Sequence, residues 1–225
     1  MKIEVIENVL KLNDEVAALN RKRLQQARVF TIDLMGAPGC GKTALIEATL
    51  KSLSDIRIGV IVGDLTTQRD ADRMARITDR VVQVNTGKGC HLEAHHVMQA
   101  MAHMDLDQLD LLLIENVGNL ICPVGFDLGQ DVKVGMFCTT GGDDKAAKHP
   151  YIVCESSLLL LSKMDLLPYV PFDLTVFHND IRQLNPLVEL LQLSAITGDG
   201  MDSWVRWIRS RMIKFAAKQK VQALT

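Results

Sequence analysis

This 225-residue sequence lacks excess positive charge, a long apolar run and a secretory signal, each of which would assign a protein to a broad class. It has no surplus of positive charge, because 25 basic residues stand against 27 acidic ones and the formal net charge is −2. That balance excludes a nucleic-acid binder that works through bulk charge. No apolar run approaches the roughly 18 residues of a membrane-spanning helix, and the first residues lack the basic and apolar segments of a secretory signal. We therefore expect a cytoplasmic protein that binds neither nucleic acid nor membrane.

The cysteines do not form a disulfide framework. There are five of them, at positions 40, 90, 122, 138 and 154, and no two stand as a Cys-x-x-Cys pair. An odd number of cysteines at wide spacing indicates a reducing compartment. Because 48% of the residues are apolar and only 23% are charged, the composition also excludes an intrinsically disordered chain.

Short apolar runs alternate with longer segments of helical periodicity along the whole chain. The runs predict strands at 29–35, 56–62, 81–84, 109–114, 132–138, 157–161 and 190–194. The periodic segments predict helices at 3–27, 42–53, 70–78, 92–104 and 203–220. This alternation is typical of an α/β fold with a mainly parallel sheet flanked by helices.

A phosphate-binding loop follows the first predicted strand. The sequence Gly-Ala-Pro-Gly-Cys-Gly-Lys-Thr at 36–43 fits G-x-x-x-x-G-K-[ST], with a strand before it and a helix after it. Backbone N–H groups at the helix start would surround phosphates, the lysine would reach the β- and γ-phosphates, and the threonine would bind Mg²⁺. We expect a P-loop NTPase domain at 29–225 behind an N-terminal helical extension at 1–28. The predicted nucleotide contacts in the loop are Gly36, Gly39, Cys40, Gly41, Lys42 and Thr43.

Carboxylates for the magnesium ion follow two later strands. Asp64 and Asp70 come after the second predicted strand, and Glu115 ends the strand at 109–114. An acidic residue at the carboxyl end of a parallel strand faces the ligand crevice. Mg²⁺ needs oxygen ligands, so Glu115 and Asp70 are the candidate partners of Thr43.

Two further loops resemble the base-reading elements of GTPases. Ser162-Lys163-Met164-Asp165 follows a strand and has the form of Asn-Lys-x-Asp, with serine in place of the asparagine. A carboxylate there accepts both N1–H and N2–H of guanine, which adenine does not offer. Ser194, after the last predicted strand, stands where a second base-contacting loop is expected.

Soft metal ligands cluster at one position. Cys90 and His91 are adjacent at the start of a predicted helix, and they suit a borderline metal such as Zn²⁺ or Ni²⁺. Two adjacent residues rarely fill a coordination shell, so a third ligand must come from elsewhere or from a second subunit. Cys122, seven residues after Glu115, is the obvious supplier. We also expect the helix N-terminus to lower the pKa of Cys90.

These strings together resemble the HypB family, GTPases of the SIMIBI class that assist nickel insertion into NiFe hydrogenases. The resemblance extends over nearly the whole chain. Its most specific parts are Gly-Cys-His-Leu at 89–92 and Glu-Asn-Val-Gly-Asn-Leu-Ile-Cys-Pro at 115–123. Other matching segments are 13–17, 36–43, 63–64, 70–71, 126–129, 142–145 and 163–168.

The resemblance implies a slow GTPase, converting GTP to GDP and phosphate, that forms a homodimer when GTP and Mg²⁺ are bound. It implies that Lys42, Asp70 and Glu115 act around the phosphates, with Asp64 in the same switch regions, and that Lys163 and Asp165 read guanine. Cys90, His91 and Cys122 match the family's Ni²⁺ or Zn²⁺ site at the subunit interface. The implied partners are a HypA-type nickel metallochaperone and the hydrogenase large-subunit precursor.

Residues 1–39 contain no cysteine and residues 1–90 no histidine, so we expect neither the N-terminal nickel motif nor the histidine-rich storage segment of some family members. Three alternatives stay open at this point. One is a urease-type nickel accessory GTPase, and another is a P-loop small-molecule kinase with a structural zinc site. The third is a regulatory module that binds nucleotide without turnover. The leading hypothesis links GTP to metal affinity, because Glu115 and Cys122 share one loop.

Overall fold

The computed structural model of the chain describes residues 2–64, 73–87 and 89–222, with side chains described over 10–221 of these ranges. In this part of the chain, seven strands form one sheet in the order β3-β2-β4-β1-β5-β6-β7. Every neighbouring pair runs parallel. The strands are β1 Phe30–Gly36, β2 Ile58–Asp64, β3 Val81–Asn85, β4 Leu111–Glu115, β5 Val132–Cys138, β6 Leu158–Ser162 and β7 Glu189–Gln192.

Helices connect the strands and cover both faces of the sheet. In the described ranges they are α1 Lys2–Gln26, α2 Lys42–Ser52, α3 Ala94–Met101, α4 Lys145–Lys148, α5 Pro150–Glu155, α6 Leu174–Leu184 and α7 Met201–Gln222. The predicted α/β fold with a parallel sheet and an N-terminal helix is therefore confirmed. Its division into an extension at 1–28 and a domain at 29–225 stays a prediction.

The sheet is apolar on both faces because helices lie on both. On one face, strand residues such as Ile32 pack with α2 and with Trp204 of α7. On the other face, one cluster forms around Leu112 and α3, and a second forms around Phe177 of α6. β4 and β6 are buried along their whole length, which explains why they read as continuous apolar runs in the sequence.

The predicted elements agree with the structure to within about two residues at most ends, and two differences stand out. Helix α6 was not predicted from the sequence, nor were the short helices α4 and α5, although Asp173 caps α6 by accepting from the amides of Thr175 and Val176. Its buried residues, Phe177 and Ile181, lie on one helical face. The predicted helix at 70–78 falls partly on residues 65–72, which lie outside the described residues.

Buried polar side chains attach α1 to the rest of the fold. Asn20, with 1% of its surface exposed, donates from Nδ2 to the carbonyls of Ala94 and Leu128 at 2.8 and 3.0 Å. The next residue, Arg21, forms an ion pair with Asp127 at 2.6 Å. These contacts hold the start of α3 and the loop before β5 against the same helix. None of the described helices is both long and apolar enough to cross a bilayer.

Replacing Asn20 with alanine removes two hydrogen bonds that water does not reach. We expect Asn20→Ala to lower the free energy of unfolding by about 1–3 kcal/mol, measured by urea denaturation followed by circular dichroism. Lys22→Ala, an exposed change on the same helix, should stay within about 0.5 kcal/mol of the wild type. Equal stability of the two variants would contradict a stabilising role for Asn20.

Candidate functional site

The phosphate loop joins the central strand β1 to α2. Gly39 and Gly41 have positive φ angles of 72° and 98°, which side chains other than glycine rarely tolerate. Lys42 begins α2 and is 6% exposed, and its Nζ donates to the carbonyls of Gly36 and Ala37 at 3.1 and 3.3 Å. The ammonium group is thus held at the mouth of the loop, beside the positive end of the α2 dipole.

Cys40 lies behind the loop. Its side chain is fully buried, and burial raises the pKa of its thiol to about 11. The thiol therefore stays neutral at physiological pH, and only the backbone at this position is available to a ligand.

Thr43 and Glu115 meet at the centre of the cleft. Thr43 Oγ1 donates to Glu115 Oε1 at 2.8 Å, and both residues are at least 90% buried. A hydroxyl and a carboxylate at this separation are hard oxygen donors of the kind that Mg²⁺ prefers, so the two side chains fit a shared ion. Asp64 lines the same cleft, whereas Asp70 lies outside the described residues.

The cleft around these residues has a volume of about 490 Å³. Its walls come from the phosphate loop, the ends of β2 and β4, and Lys163 beyond β6. The cleft therefore lies at the carboxyl edge of the parallel sheet, where ligands bind in folds of this type. Arg73, to which the sequence analysis gave no role, also lines it and pairs with Glu47 of α2 at 2.8 Å.

The serine in place of asparagine at 162 keeps its connection to the phosphate loop. Ser162 is 2% exposed and donates from Oγ to the carbonyl of Cys40 at 2.6 Å. Lys163 follows with a positive φ of 58°, and its carbonyl accepts from Thr139 Oγ1 at 2.8 Å. The segment after β6 is thus tied both to the phosphate loop and to the end of β5.

Asp165 and Ser194, two of the three predicted base-reading residues, differ in their surroundings. Asp165 is partly exposed on the 3-10 turn Met164–Tyr169. Ser194 is fully buried, and its hydroxyl accepts from the amides of Ile196 and Thr197 at 3.3 and 3.2 Å. Ser194 therefore shapes its own loop, and its hydroxyl is turned toward the protein. The backbone bond from Met164 to Leu193, at 3.2 Å, holds the two loops together.

The predicted soft ligands converge. Cys90, His91 and Cys122 each place a ligand atom within 4.8 Å of the other two. In a tetrahedral shell with metal–sulfur distances of about 2.3 Å, ligand atoms lie roughly 3.8 Å apart, so small side-chain rotations would close the set. Cys90 is exposed and Cys122 is half-buried, which leaves one side of the cluster open to a further ligand.

The ionisation of this cluster differs from one expectation. Burial lowers the pKa of His91, so the imidazole is neutral and able to ligate at physiological pH. The expected lowering of the Cys90 pKa by a helix N-terminus is wrong. That pKa is raised, because the thiol shares a hydrogen bond with Cys122 and is partly desolvated. The helix α3 begins only at Ala94, after the cap residue Glu93.

The remaining histidines nearby have other roles. His96 Nδ1 accepts from the amide of Glu93 at 3.1 Å and so caps α3. His95 pairs with the carboxylate of Glu93 at 3.4 Å. The ring of Phe126 lies under that of His91, with centroids 4.0 Å apart, and this contact fixes the imidazole plane.

One short loop runs from Glu115 to Cys122 and contacts the phosphate loop on its way. The amide of Asn119 donates to the carbonyl of Gly36 at 3.0 Å, and its Nδ2 lies 3.4 Å from the carbonyl of Cys90. At Gly118 an added Cβ would come within 2.9 Å of Pro38 Cα. The loop therefore passes against the phosphate loop and ends at the soft ligands.

Comparison with known proteins agrees with this geometry. The family described as "CobW/HypB/UreG, nucleotide-binding domain" matches residues 30–192. Hydrogenase maturation factor HypB of Escherichia coli K12 is 42% identical over 210 residues, which cover 93% of this chain and 72% of that protein. The chain belongs to the HypB family.

Solved structures of HypB proteins have the same fold. HypB from Archaeoglobus fulgidus aligns with a TM-score of 0.85 at 36% identity, covering 90% of this chain and all of that one. HypB from Helicobacter pylori, solved in complex with nickel, aligns with a TM-score of 0.86 at 29% identity, covering 90% of this chain and 95% of that one.

A buried carboxyl group in this HypB-family chain was missed by the sequence analysis. Asp33 of β1 is fully buried and accepts from Asn116 Nδ2 at 3.0 Å. Burial raises its pKa to about 7, against the lowering effects of the Asn116 hydrogen bond and of Lys133. An aspartate inside an apolar strand is itself a signal, but the sequence does not name its partner.

This pKa predicts how stability depends on pH. The folded state keeps the proton on Asp33 up to about pH 7, whereas the unfolded chain releases it near pH 4. The folded state binds more protons between these values, so the free energy of unfolding falls as pH rises through that window and levels off above it. Asp33→Asn removes this loss, and its stability relative to the wild type should rise by about 1–3 kcal/mol between pH 5 and pH 8.

Chemical denaturation at a series of pH values measures this difference. Asp131 is a matched control, because burial raises its pKa to about 6 and it accepts from the amide of Thr31. The gain from Asp131→Asn should stop growing near pH 6, one unit earlier. A pH-independent difference for Asp33→Asn would contradict the buried, protonated carboxyl group.

Proposed function

We propose that this chain is a metal-binding GTPase that uses GTP binding and hydrolysis to gate nickel transfer during NiFe hydrogenase maturation. One observation carries the proposal. The loop that begins at Glu115, beside Thr43, ends at Cys122, beside Cys90 and His91. Because this single loop borders both sites and contacts the phosphate loop through Asn119, a change at one site has a short path to the other.

In the nucleotide site, Lys42 and the backbone of 36–43 hold the phosphates, and Thr43 and Glu115 supply oxygen ligands to Mg²⁺. Bound there, the ion would neutralise charge on the phosphates. We assign Asp64 and Asp70 to the surrounding switch segments, and expect hydrolysis to GDP and phosphate to be slow. The ammonium group of Lys42 bonds two carbonyl groups of the loop, and phosphate oxygens attract an ammonium group more strongly than carbonyl oxygens do.

Lys163 and Asp165 would read the base from the other side of the cleft, supported by the loop of Ser194. The carboxylate would accept from N1–H and the C2 amino group of guanine. The bond from Ser162 to the Cys40 carbonyl supports this assignment, because it fixes the base-reading segment relative to the phosphate loop.

In the metal site, two thiolates and a neutral imidazole form a ligand set that suits Ni²⁺ or Zn²⁺. HypB from Helicobacter pylori was solved in complex with nickel, which favours Ni²⁺ as the transferred ion. Three ligands with an open side suit transfer better than permanent storage, because a fourth ligand can come from a partner. The free thiols require a reducing compartment, so we place the protein in the cytoplasm.

We further propose that the open side of the metal site faces a second copy of this chain in a GTP-dependent homodimer. A HypA-type nickel metallochaperone and the hydrogenase large-subunit precursor would be the other partners. In this scheme Glu115 shifts when the γ-phosphate is bound, and Cys122 moves with the loop. Linkage between the two sites is reciprocal, so nickel binding in turn changes nucleotide affinity.

Cys90→Ala tests the metal half of the proposal. Native mass spectrometry with Mg²⁺ and Ni²⁺ should show a metal-loaded dimer of the wild type with a non-hydrolysable GTP analogue and a different metal loading with GDP. Cys90→Ala should lose the metal in both states, because one of three ligands is gone. Cys154→Ala, which removes another exposed thiol, should behave as the wild type. Equal nickel affinity of the wild type with either nucleotide would overturn the proposed gating.

Asp165→Asn tests the base-reading assignment. The oxygen of the new amide would still accept from N1–H. Its NH₂ group would face the C2 amino group of guanine, which is also a donor, whereas xanthine has a carbonyl acceptor at C2. We expect GTP affinity to fall about ten- to a hundredfold, in line with one hydrogen bond to a charged group, and XTP affinity to rise. Asp107→Asn, an exposed change at the amino edge of the sheet, is the matched control. Unchanged nucleotide preference in Asp165→Asn would contradict the assignment.

A further inference from the structure

The side chain of Asn116 joins three segments of the site at once. Its Oδ1 accepts from the amides of Leu92 and Val117, each at 3.0 Å. Its Nδ2 donates to Asp33 Oδ1 at 3.0 Å. Asn116 is 1% exposed, and both Asp33 and Leu92 are fully buried. These bonds therefore form where water does not compete for them.

Any link between the nucleotide site and the metal site would have to connect these three segments. Asn116 directly follows Glu115, and Val117 starts the loop toward Cys122. Leu92 directly follows His91. The strand that carries Asp33 leads into the phosphate loop. One amide side chain thus fixes the spacing between the segment of His91 and the start of the loop that carries Cys122.

Holding the amide of Asn116 with Asp33 requires the burial of a carboxyl group, which costs free energy. Its second oxygen, Oδ2, has no hydrogen-bond partner among the described residues. Buried polar networks are often no more stable than apolar packing of the same volume, so stability alone gives little reason for an aspartate here. An acceptor at this point does orient the asparagine, because Nδ2 must then face β1 and Oδ1 must face the two amides.

We propose that Asn116, oriented by Asp33, is a positioning residue that transmits a shift of Glu115 to both segments bearing the soft metal ligands. This inference rests on the proposed function and names the residue through which its two sites are coupled. Without Asn116, a shift of Glu115 would no longer be carried to the amides of Leu92 and Val117. The distances among Cys90, His91 and Cys122 would then not change with the nucleotide.

The measurement is the ratio of Ni²⁺ dissociation constants in the presence of Mg²⁺ with GDP and with a non-hydrolysable GTP analogue. Titration against a chelator of known affinity gives each constant. Coupling of the usual strength would put the wild-type ratio roughly 5- to 150-fold away from one. Asn116→Ala should bring the ratio to within about twofold of one. A merely structural defect would weaken Ni²⁺ binding by the same factor in both states and leave the ratio unchanged.

Asn20→Ala is the matched control, because it removes an equally buried asparagine that also contacts Ala94 near the metal segment. Its bonds end on Ala94 and Leu128, and neither reaches the Glu115 loop. The wild-type ratio should survive this change even though stability falls.

A second pair of variants decides the question if Asn116→Ala does not fold. Asn116→Asp loses the Nδ2–H that bonds Asp33. At pH 8, where Asp33 of the wild type is ionised, the two carboxyl groups would repel each other and turn the new side chain away from the Leu92 amide, so the variant should lower the ratio at least fivefold toward one. Adding Asp33→Asn restores the hydrogen bond with its direction reversed, because the amide at position 33 now donates to the carboxylate at position 116. The double variant should return the ratio to within about twofold of the wild type.

The outcomes separate the two proposals. A wild-type ratio of one overturns both the gating function and this inference. If the wild-type ratio is far from one, two results overturn the role of Asn116 alone. The first is an unchanged ratio in folded Asn116→Ala. The second is a ratio that is lost in Asn116→Asp and is not restored when Asp33→Asn is added.

Discussion

The pairing of β1 with β4 is the constraint on which the site depends. The register sets Leu34 beside Glu115, and the bonds continue past the strand ends, from Asn116 to Leu34 and from Asn119 to Gly36. The phosphate loop and the Glu115–Cys122 loop therefore leave the sheet side by side. The bond between Thr43 and Glu115 follows from that neighbourhood, as does the close approach of Gly118 to Pro38.

The strand order then divides the ligands between the two halves of the sheet. The segment of Cys90 and His91 follows β3, on one side of β1, and the base-reading loops follow β6 and β7, on the other. In the proposed binding mode the base lies over β6 and the phosphates lie over β1, so the γ-phosphate would point toward the metal half of the sheet. The group that distinguishes GTP from GDP would then be the part of the nucleotide nearest to the soft ligands.

Much of this arrangement could be predicted from the sequence, because apolar runs ending in glycine mark the strands and the P-loop string marks its own context. The strand order could not, because periodicity does not say which strands are neighbours. Cys90 and Cys122 lie 32 positions apart in the chain, and their chemistry led us to expect them to be close together. In the structure their sulfur atoms lie within 4.8 Å of each other. Asp33 stands out as an aspartate inside an apolar strand, but the pair was missed because the sequence does not show that Asn116 faces it.

The proposed coupling requires only a small free energy, and the loop is short enough to carry a displacement from one site to the other. A tenfold change in metal affinity corresponds to about 1.4 kcal/mol, which is within the worth of one hydrogen bond to a charged group, about 1.5–3 kcal/mol. The bond from Thr43 to Glu115 is of that kind. Because the loop is held at Asn116 and Asn119, a displacement of Glu115 is not absorbed by slack backbone. In the proposed mechanism, the differential contact of one carboxylate would therefore be large enough to shift Cys122.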